Sequence, residues 1–285
     1  PVLVATPIYG YIMREMPTPV RANAMAGIVS LQHFPKISED CIQATLNETH
    51  ADKLAVYGVG QGNANALLNA NSPITCHPLP SLYFDLGAGV YRNKHTTPTP
   101  LLFCFTLCPP IILSHWDADH WAGAYATGVS TPQTYPALLR TWIAPLQTVG
   151  PLHIAFANDI MSQGGKLYSY NPPPGKINKV ALSKRTELRL ALGTGNGRND
   201  TGIVAVVENR NLSPSRTWLL TGDCNYTHIE PSVTPKNPIA VVVPHHGATL
   251  NGGTAAPKPF RGVNEYCRLL YSFGPDDAHG ATGVR

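Results

Sequence analysis

Four side chains able to do metal chemistry, His115, Asp117, Asp119 and His120, fall within six consecutive positions. Neutral imidazoles and carboxylates are the ligands of zinc, manganese and similar divalent ions, and an ion held with an open coordination position activates water for hydrolysis. The apolar run Pro110-Ile111-Ile112-Leu113 leads into the group and Trp121-Ala122-Gly123-Ala124-Tyr125-Ala126 follows it. The first reads as a buried strand; the second reads as the start of a helix opened by Asp119 and His120. With apolar sequence on both sides, a solvated loop in which an Asp caps the helix and the histidines merely pack is the weaker reading.

Three later segments repeat the device of a strand that ends in polar ligands. Trp218-Leu219-Leu220 runs into Thr221-Gly222-Asp223-Cys224, Ile239-Ala240-Val241-Val242-Val243 into Pro244-His245-His246-Gly247, and Ser81-Leu82-Tyr83-Phe84 into Asp85-Leu86-Gly87. A glycine beside each set lets backbone approach closely. Singly these are weak signals, since Gly-Asp is a common turn and a His-His pair can simply pack. Their combination with 115–120, in this order, is specific.

In that combination the sequence resembles the metallo-β-lactamase superfamily, and within it the soluble domain of the bacterial competence protein ComEC and its free-standing relatives. The motifs that carry the resemblance are Val59-Gly60-Gln61-Gly62, Asp85-Leu86-Gly87, the H-x-D-x-D-H set of His115, Asp117, Asp119 and His120, the Asn-rich Asn199-Asp200-Thr201, Gly222-Asp223, and Pro244-His245-His246-Gly247. It spans about residues 52–280. It implies an α/β (α+β) fold, the αββα sandwich with two mixed sheets, and a two-metal site. One ion would be held by His115 and Asp117, helped by Asn199, and the other by Asp119, His120 and one of His245 or His246. Asp223 would bridge them, Asp85 would orient a ligand from behind, and Asp119 and His279 would be the catalytic pair, with His279 protonating a leaving alkoxide. The ions would be Zn2+ or Mn2+, with the hard Asp117 carboxylate tilting preference toward manganese. Two departures stand out: the family usually has acids where this chain has Gly58 and Asn63, and Asn199 stands near the place of a family histidine.

The chain of 285 residues is 43% apolar, enough for a sizeable core, and carries 25 glycines and 27 prolines, so strands and turns should dominate. Charged residues make up 13%, against about a quarter in ordinary globular chains. Strands are expected over 54–57, 64–68, 81–87, 202–207, 217–220, 239–243 and 269–272, partial helix over 131–149, and a basic loop-rich stretch over 163–200. The most apolar stretch, 101–113, is broken by Pro109 and Pro110 and reads as two buried strands rather than a membrane span. With no signal-peptide pattern and six cysteines lacking a C-x-x-C pair, the expectation is a soluble cytoplasmic chain with buried free thiols. Residues 1–50 are expected to be an N-terminal extension lying on the core, able to dock a partner chain, and residues 51–285 the hydrolase domain.

Charge is uneven: 6 Lys/Arg against 8 Asp/Glu precede position 120, and 15 against 9 follow from there on. Lys176, Lys179, Lys184, Arg185 and Arg189 form a cluster that either tracks a polyanion or is a solvated face. Trp116 and Trp121 either stack on a base or pack the sheet edge. The leading expectation is a metal-dependent phosphodiesterase or nuclease, with DNA the favoured partner. The alternatives are a small-molecule ester or lactam hydrolase of lactonase or β-lactamase type, and a binding module without turnover.

Overall fold

Short apolar runs separated by turns build two six-stranded mixed sheets in the computed structural model, which describes residues 30–71, 77–126, 134–211, 215–235, 238–247 and 268–273. The first sheet lies in chain order: β1 (Lys53–Val56), β2 (Ala64–Asn69), β3 (Leu79–Leu86), β4 (Ile111–Ile112), β5 (Thr141–Pro145) and β6 (Lys166–Tyr170). It begins as an antiparallel meander over β1–β3 and becomes parallel from β3 to β6. The second sheet follows the same plan. Its members are β7 (Asn178–Ser183), β8 (Thr186–Leu192), β9 (Ile203–Asn209), β10 (Arg216–Leu220), β11 (Ala240–Val242) and β12 (Arg268–Leu270), antiparallel up to β10 and parallel from there.

The sheets face each other across a shared core in which Leu82, Phe84 and Ile143 meet Leu188, Leu190 and Trp218. The other face of the first sheet is covered by α2 (Pro151–Ser162), whose Ile154, Phe156, Ala157 and Ile160 join Trp116 and Trp142. Pro151 at the first helical position suits its start, because that N–H has no helical partner to lose. Over the outer face of the second sheet, Val206, Leu219 and Val241 pack with Ile229 and Val233 from turn-rich chain. Among the described residues no α-helix covers that face, so the expected helical layering is seen on one side. The continuous burial of 203–207 follows from β9 having apolar neighbours on both faces.

The chain departs from the sequence expectations where local pattern and packing compete. Asp119 and His120 lie in a 3-10 turn (Ala118–His120) followed by a second (Ala122–Tyr125), not in an α-helix. Gly123 is the physical reason for the short turns: it weakens a helix, and its Cα lies against the carbonyls of Leu86 and Gly87, where a side chain has no room. Within 101–113 only Ile111–Ile112 is a strand, since Pro109 and Pro110 donate no ladder hydrogen bond. The partial helix expected over 131–149 is a 3-10 turn (Pro136–Leu139) and then β5. The stretch 163–200 holds β6, β7 and β8; the alternating burial of β7 and β8 prevails over the flanking glycines and prolines. Of the cysteines described, Cys224 alone is buried, Cys108 is exposed, and all four are free thiols. Trp116 and Trp121 are buried, the latter stacked on Phe156 at 4.2 Å. Among the described residues no helix is long and apolar enough to cross a membrane.

Residues 30–50 pack into the same body. The helix α1 (Glu39–Leu46) starts at Ser38, whose hydroxyl accepts from the Cys41 N–H at 3.2 Å. It then sends Ile42 and Leu46 into the core between the sheets. Gln43 clasps the backbone of Ala181 on the edge strand β7, donating to its carbonyl (2.9 Å) and accepting from its N–H (3.0 Å), which covers an otherwise open edge. Leu46 is 0% exposed, so Leu46→Ala is expected to cost about 2–5 kcal/mol in urea unfolding. A loss under about 1 kcal/mol would mean that α1 rests on the core without helping to build it.

Candidate metal centre

The parallel strands deliver the chemistry-bearing residues from their C-terminal ends, where ligands gather in open α/β sheets. Asp85 ends β3, the segment 114–120 follows β4, Asp223 follows β10, and His245 and His246 follow β11. The backbone is bent sharply to do so. Asp85, His245 and His246 all take left-handed φ values of 63°, 55° and 54°, a conformation that costs a non-glycine residue roughly 1–2 kcal/mol. Gly222, at φ 56°, makes the matching turn before Asp223 and lies against the Ser114 side chain.

Two overlapping groups of donors result, His115, His120 and Asp223, and Asp119, His120 and His246, each with its ligand atoms within 4.8 Å of one another. Asp223 spans the middle: Oδ1 lies 3.1 Å from His120 Nε2, and Oδ2 lies 3.8 Å from His115 Nε2. His246 Nε2 lies 3.2 Å from Asp119 Oδ2. Asp117 stands outside both groups, its Oδ2 3.5 Å from His115 Nε2 and its Oδ1 2.9 Å from the Arg198 guanidinium. His245 also stands outside them; its N–H donates to Asp223 Oδ1 (3.0 Å) and its Nδ1 lies 2.8 Å from Oδ2. His245 thus buttresses the Asp223 carboxylate, and Asn199, its Nδ2 3.2 Å from His245 Nδ1, lies beside that imidazole and outside both donor groups. His279 lies outside the described residues.

Asp85 sits behind the donors, fully buried. Its Oδ1 accepts from the Ser114 N–H (2.6 Å); its Oδ2 accepts from the Ser114 hydroxyl (2.7 Å), Asn63 Nδ2 (2.9 Å) and His120 Nδ1–H (2.8 Å). Asn63 thus supplies a donor where an acid would set a second negative charge beside Asp85. With its hydroxyl proton committed to Asp85, Ser114 Oγ accepts from His115 Nδ1–H at 3.1 Å. In their neutral forms both imidazoles therefore carry their proton on Nδ1 and turn Nε2 toward Asp223. Those two buried nitrogens make no hydrogen bond. Two imidazole nitrogens and a carboxylate converging out of water make a donor set that could hold a metal ion, so the residues fit one.

Electrostatics show how strongly the surrounding carboxylates favour positive charge at this point. Burial disfavours each charge, yet Asp223 and Asp85 raise the His120 imidazole well above its ordinary value. Against the same burial, His120 and His245 hold Asp223 well below the carboxylate range, and His246 and His120 hold Asp119 below it. Asp117 is lowered by His115 beside it and further by Arg198. The His245 imidazole is raised by its bond to Asp223.

A cleft of about 510 Å³ opens over the donors, lined by Asp117, Asp119 and His246 and also by Gln61, Tyr91, Arg92, His153 and Arg198. Sequence reasoning left these last five without a role at a site. Arg198 had one signal, its place beside Asn199; Tyr91 and Arg92 come from the 3-10 turn Tyr91–Thr96 and His153 from the first turn of α2, and they had none. The basic cluster 176–189 is differently placed. Thr186 opens β8 at the end away from the site, and Leu192 closes it beside Ile203, whose N–H donates to the Ser114 carbonyl (2.7 Å). Lys184 and Arg185, in the turn before β8, are therefore roughly 20 Å from the donors along the strand. Arg189 pairs with Glu187 and Glu208, and Lys176 with Glu39. That cluster does not serve the cleft.

A scan of this sequence against protein-family models finds no match, and a search of curated proteins finds none either.

The two histidines of the turn are now distinguishable. His246→Ala removes a donor and should lower manganese or zinc affinity, read by calorimetry, more than Asp85→Asn, which disturbs only the orienting carboxylate and should cost about 10–100-fold. His245→Ala should cost less than His246→Ala. Equal, mild losses in the two histidine variants would overturn this assignment.

Proposed function

We propose that the chain is a metal-dependent phosphodiesterase acting on nucleic acid, with a metallo-β-lactamase-like sandwich of the ComEC-like kind. The observation that carries the reading is the pair of donor groups sharing His120 at the C-terminal ends of parallel strands from both sheets. His115, Asp117 and Asp223 would hold one divalent ion, and Asp119, His120, His246 and Asp223 the other. When bound, the ions supply Lewis acidity, activating water and neutralising charge on the reacting oxygens. Three carboxylates against two doubly charged ions leave the centre cationic, which suits an anionic diester better than a neutral ester or lactam. Asp117 in place of a second imidazole favours an oxygen-loving ion such as Mn2+ over Zn2+.

The chain's own residues do the positioning. Asp85 fixes the His120 tautomer and, through Ser114, that of His115. Arg198 fixes the free oxygen of Asp117, and the 245–246 turn steers Asp223 from the opposite sheet. A reducing compartment, which we take to be the cytoplasm, goes with the four free thiols among the described residues.

Protein loaded with Mn2+ or Zn2+ is expected to hydrolyse bis-p-nitrophenyl phosphate, and EDTA to abolish the turnover. Asp223→Ala should lower it at least about 100-fold, the loss that follows from removing a few kcal/mol of charge stabilisation. Full turnover by that variant at unchanged metal content would overturn the two-metal reading. A chromogenic lactam hydrolysed in preference to the diester would overturn the substrate class.

A further inference from the structure

One wall of the cleft is the 3-10 turn Tyr91–Thr96, and its first two residues are unusual together. Tyr91 is 75% exposed, yet its backbone sits at φ 50°. A bulky residue in that conformation costs roughly 1–2 kcal/mol, and a ring standing in solvent gains no burial to offset it. The turn is nevertheless held firmly. The Asn93 N–H donates to the Val90 carbonyl (2.8 Å), the Thr96 hydroxyl donates to the Asn93 carbonyl (2.7 Å), and the Gln61 N–H donates to Thr96 Oγ1 (2.9 Å). Strain maintained by a rigid surround around an exposed aromatic points to use rather than packing. Arg92, next in the chain, is exposed and lines the same cleft.

Arg198 faces this wall from the other side. Its carbonyl accepts from Gln147 Nε2 at 2.6 Å, which anchors the backbone, and its guanidinium engages Asp117 through Nη2 while Nη1 lies 3.4 Å from His153 Nε2. A guanidinium carries five N–H donors, so contact with one carboxylate oxygen leaves others for an anion. The acids lining the cleft are Asp117 and Asp119. Both belong to the donor set, and bound metal would commit them. The charges left for a substrate are then two arginines, with an exposed ring beside them. Cationic groups interleaved with an aromatic platform are the physical signature of single-strand nucleic-acid binding.

We propose that the rim of the cleft binds single-stranded polynucleotide, Arg92 and Arg198 contacting phosphates and Tyr91 stacking on a base. The proposal rests on the phosphodiesterase reading and narrows its substrate class. The cleft volume of about 510 Å³ lies in the range of small-ligand sites, so it suits a nucleotide-sized stretch of chain rather than a duplex.

The test is fluorescence anisotropy of a labelled, hydrolysis-resistant phosphorothioate oligothymidylate with the Mn2+-loaded protein across a salt series, which keeps the cleft acids committed and reads binding without turnover. Arg92→Gln and Arg198→Gln should each weaken binding and flatten the slope of log affinity against log salt by about 0.7. Tyr91→Ala should weaken binding about 5- to 150-fold, and Tyr91→Phe should restore it. A Lys184→Gln/Arg185→Gln double variant should bind as the wild type does. Unchanged affinity and slope in the three rim variants would overturn the proposal, as would a loss confined to the Lys184/Arg185 variant. So would equal or tighter binding of the annealed duplex, or no binding by the wild type. Because Arg198 also touches Asp117, manganese affinity is measured alongside. If Arg198→Gln lowers it and leaves oligonucleotide binding intact, Arg198 is a positioning residue for Asp117 and its part in the rim falls. Diester hydrolysis by the wild type with unaltered rim variants would remove this inference and leave the phosphodiesterase reading standing.

Discussion

A carboxylate taken fully out of water is tolerable only where donors replace its hydration, and much of the site depends on how Asp85 meets that condition. Isolated, a buried carboxylate costs many kcal/mol. Here four donors surround it, from Ser114 backbone, Ser114 hydroxyl, Asn63 amide and His120 imidazole. Each donor fixes something different. The Ser114 N–H locks the loop after β4 onto the end of β3. The Ser114 hydroxyl, by donating, turns His115 Nδ1 into a donor in its turn, and His120 is fixed directly. Asn63 ties in the glycine turn, whose backbone also binds the Asp119 carbonyl (3.1 Å) and the Gly87 N–H (2.7 Å). One satisfied charge therefore sets two tautomers and the registry of three loops.

The second sheet contributes through a similar economy of means. Its strands β10 and β11 are parallel, so Asp223 and the 245–246 turn emerge side by side. The Thr221 hydroxyl joins the two strand ends by donating to the Val242 carbonyl at 2.7 Å. Contact between the sheets at this edge is made by backbone as well as side chains: the Ile203 N–H bonds the Ser114 carbonyl, and Gly222 lies against Ser114. Asp223 thereby reaches the two imidazoles of the first sheet. Neither sheet holds a complete donor set, so the centre exists only when the core between them is packed.

What was legible in the sequence was what is local in it. A strand ending in Asp-x-Gly, Gly-Asp or Pro-His-His-Gly can be read because the apolar run and the polar end are neighbours in the chain. The order of those segments then anticipates His115, His120, Asp119 and Asp223 coming together. The roles of His245 and His246 were not legible, because they depend on two successive left-handed residues that aim adjacent side chains apart. The β7–β8 hairpin was obscured for a compositional reason. Its period-two burial is clear in Asn178–Ser183, but Lys179 on an exposed position, Lys176 and Lys184 just outside the strand and nearby prolines resemble a loop. The same lysines gave a misleading charge signal, since closeness in sequence put Lys184 and Arg185 in a turn at the far end of a strand.

The cleft walls show the converse. Tyr91 and Arg92 come from one turn, Arg198 from another and His153 from a helix start, and apart from Arg198's place beside Asn199 nothing in the chain marks them. They gather because the loops after the antiparallel and parallel parts of the two sheets open on the same edge. The strained backbone is distributed accordingly. Among the described residues five non-glycine positions have positive φ, and four of them, Asp85, Tyr91, His245 and His246, support the donors or line the cleft over them. Strain of that kind persists only where neighbouring structure over-determines it. In Asp85 and the two histidines the compensation is visible as hydrogen bonds to other site residues. In Tyr91 the hydrogen bonds hold the turn but leave the ring itself in solvent, and it is this difference that separates a group completing the interior of the site from one turned toward what enters it.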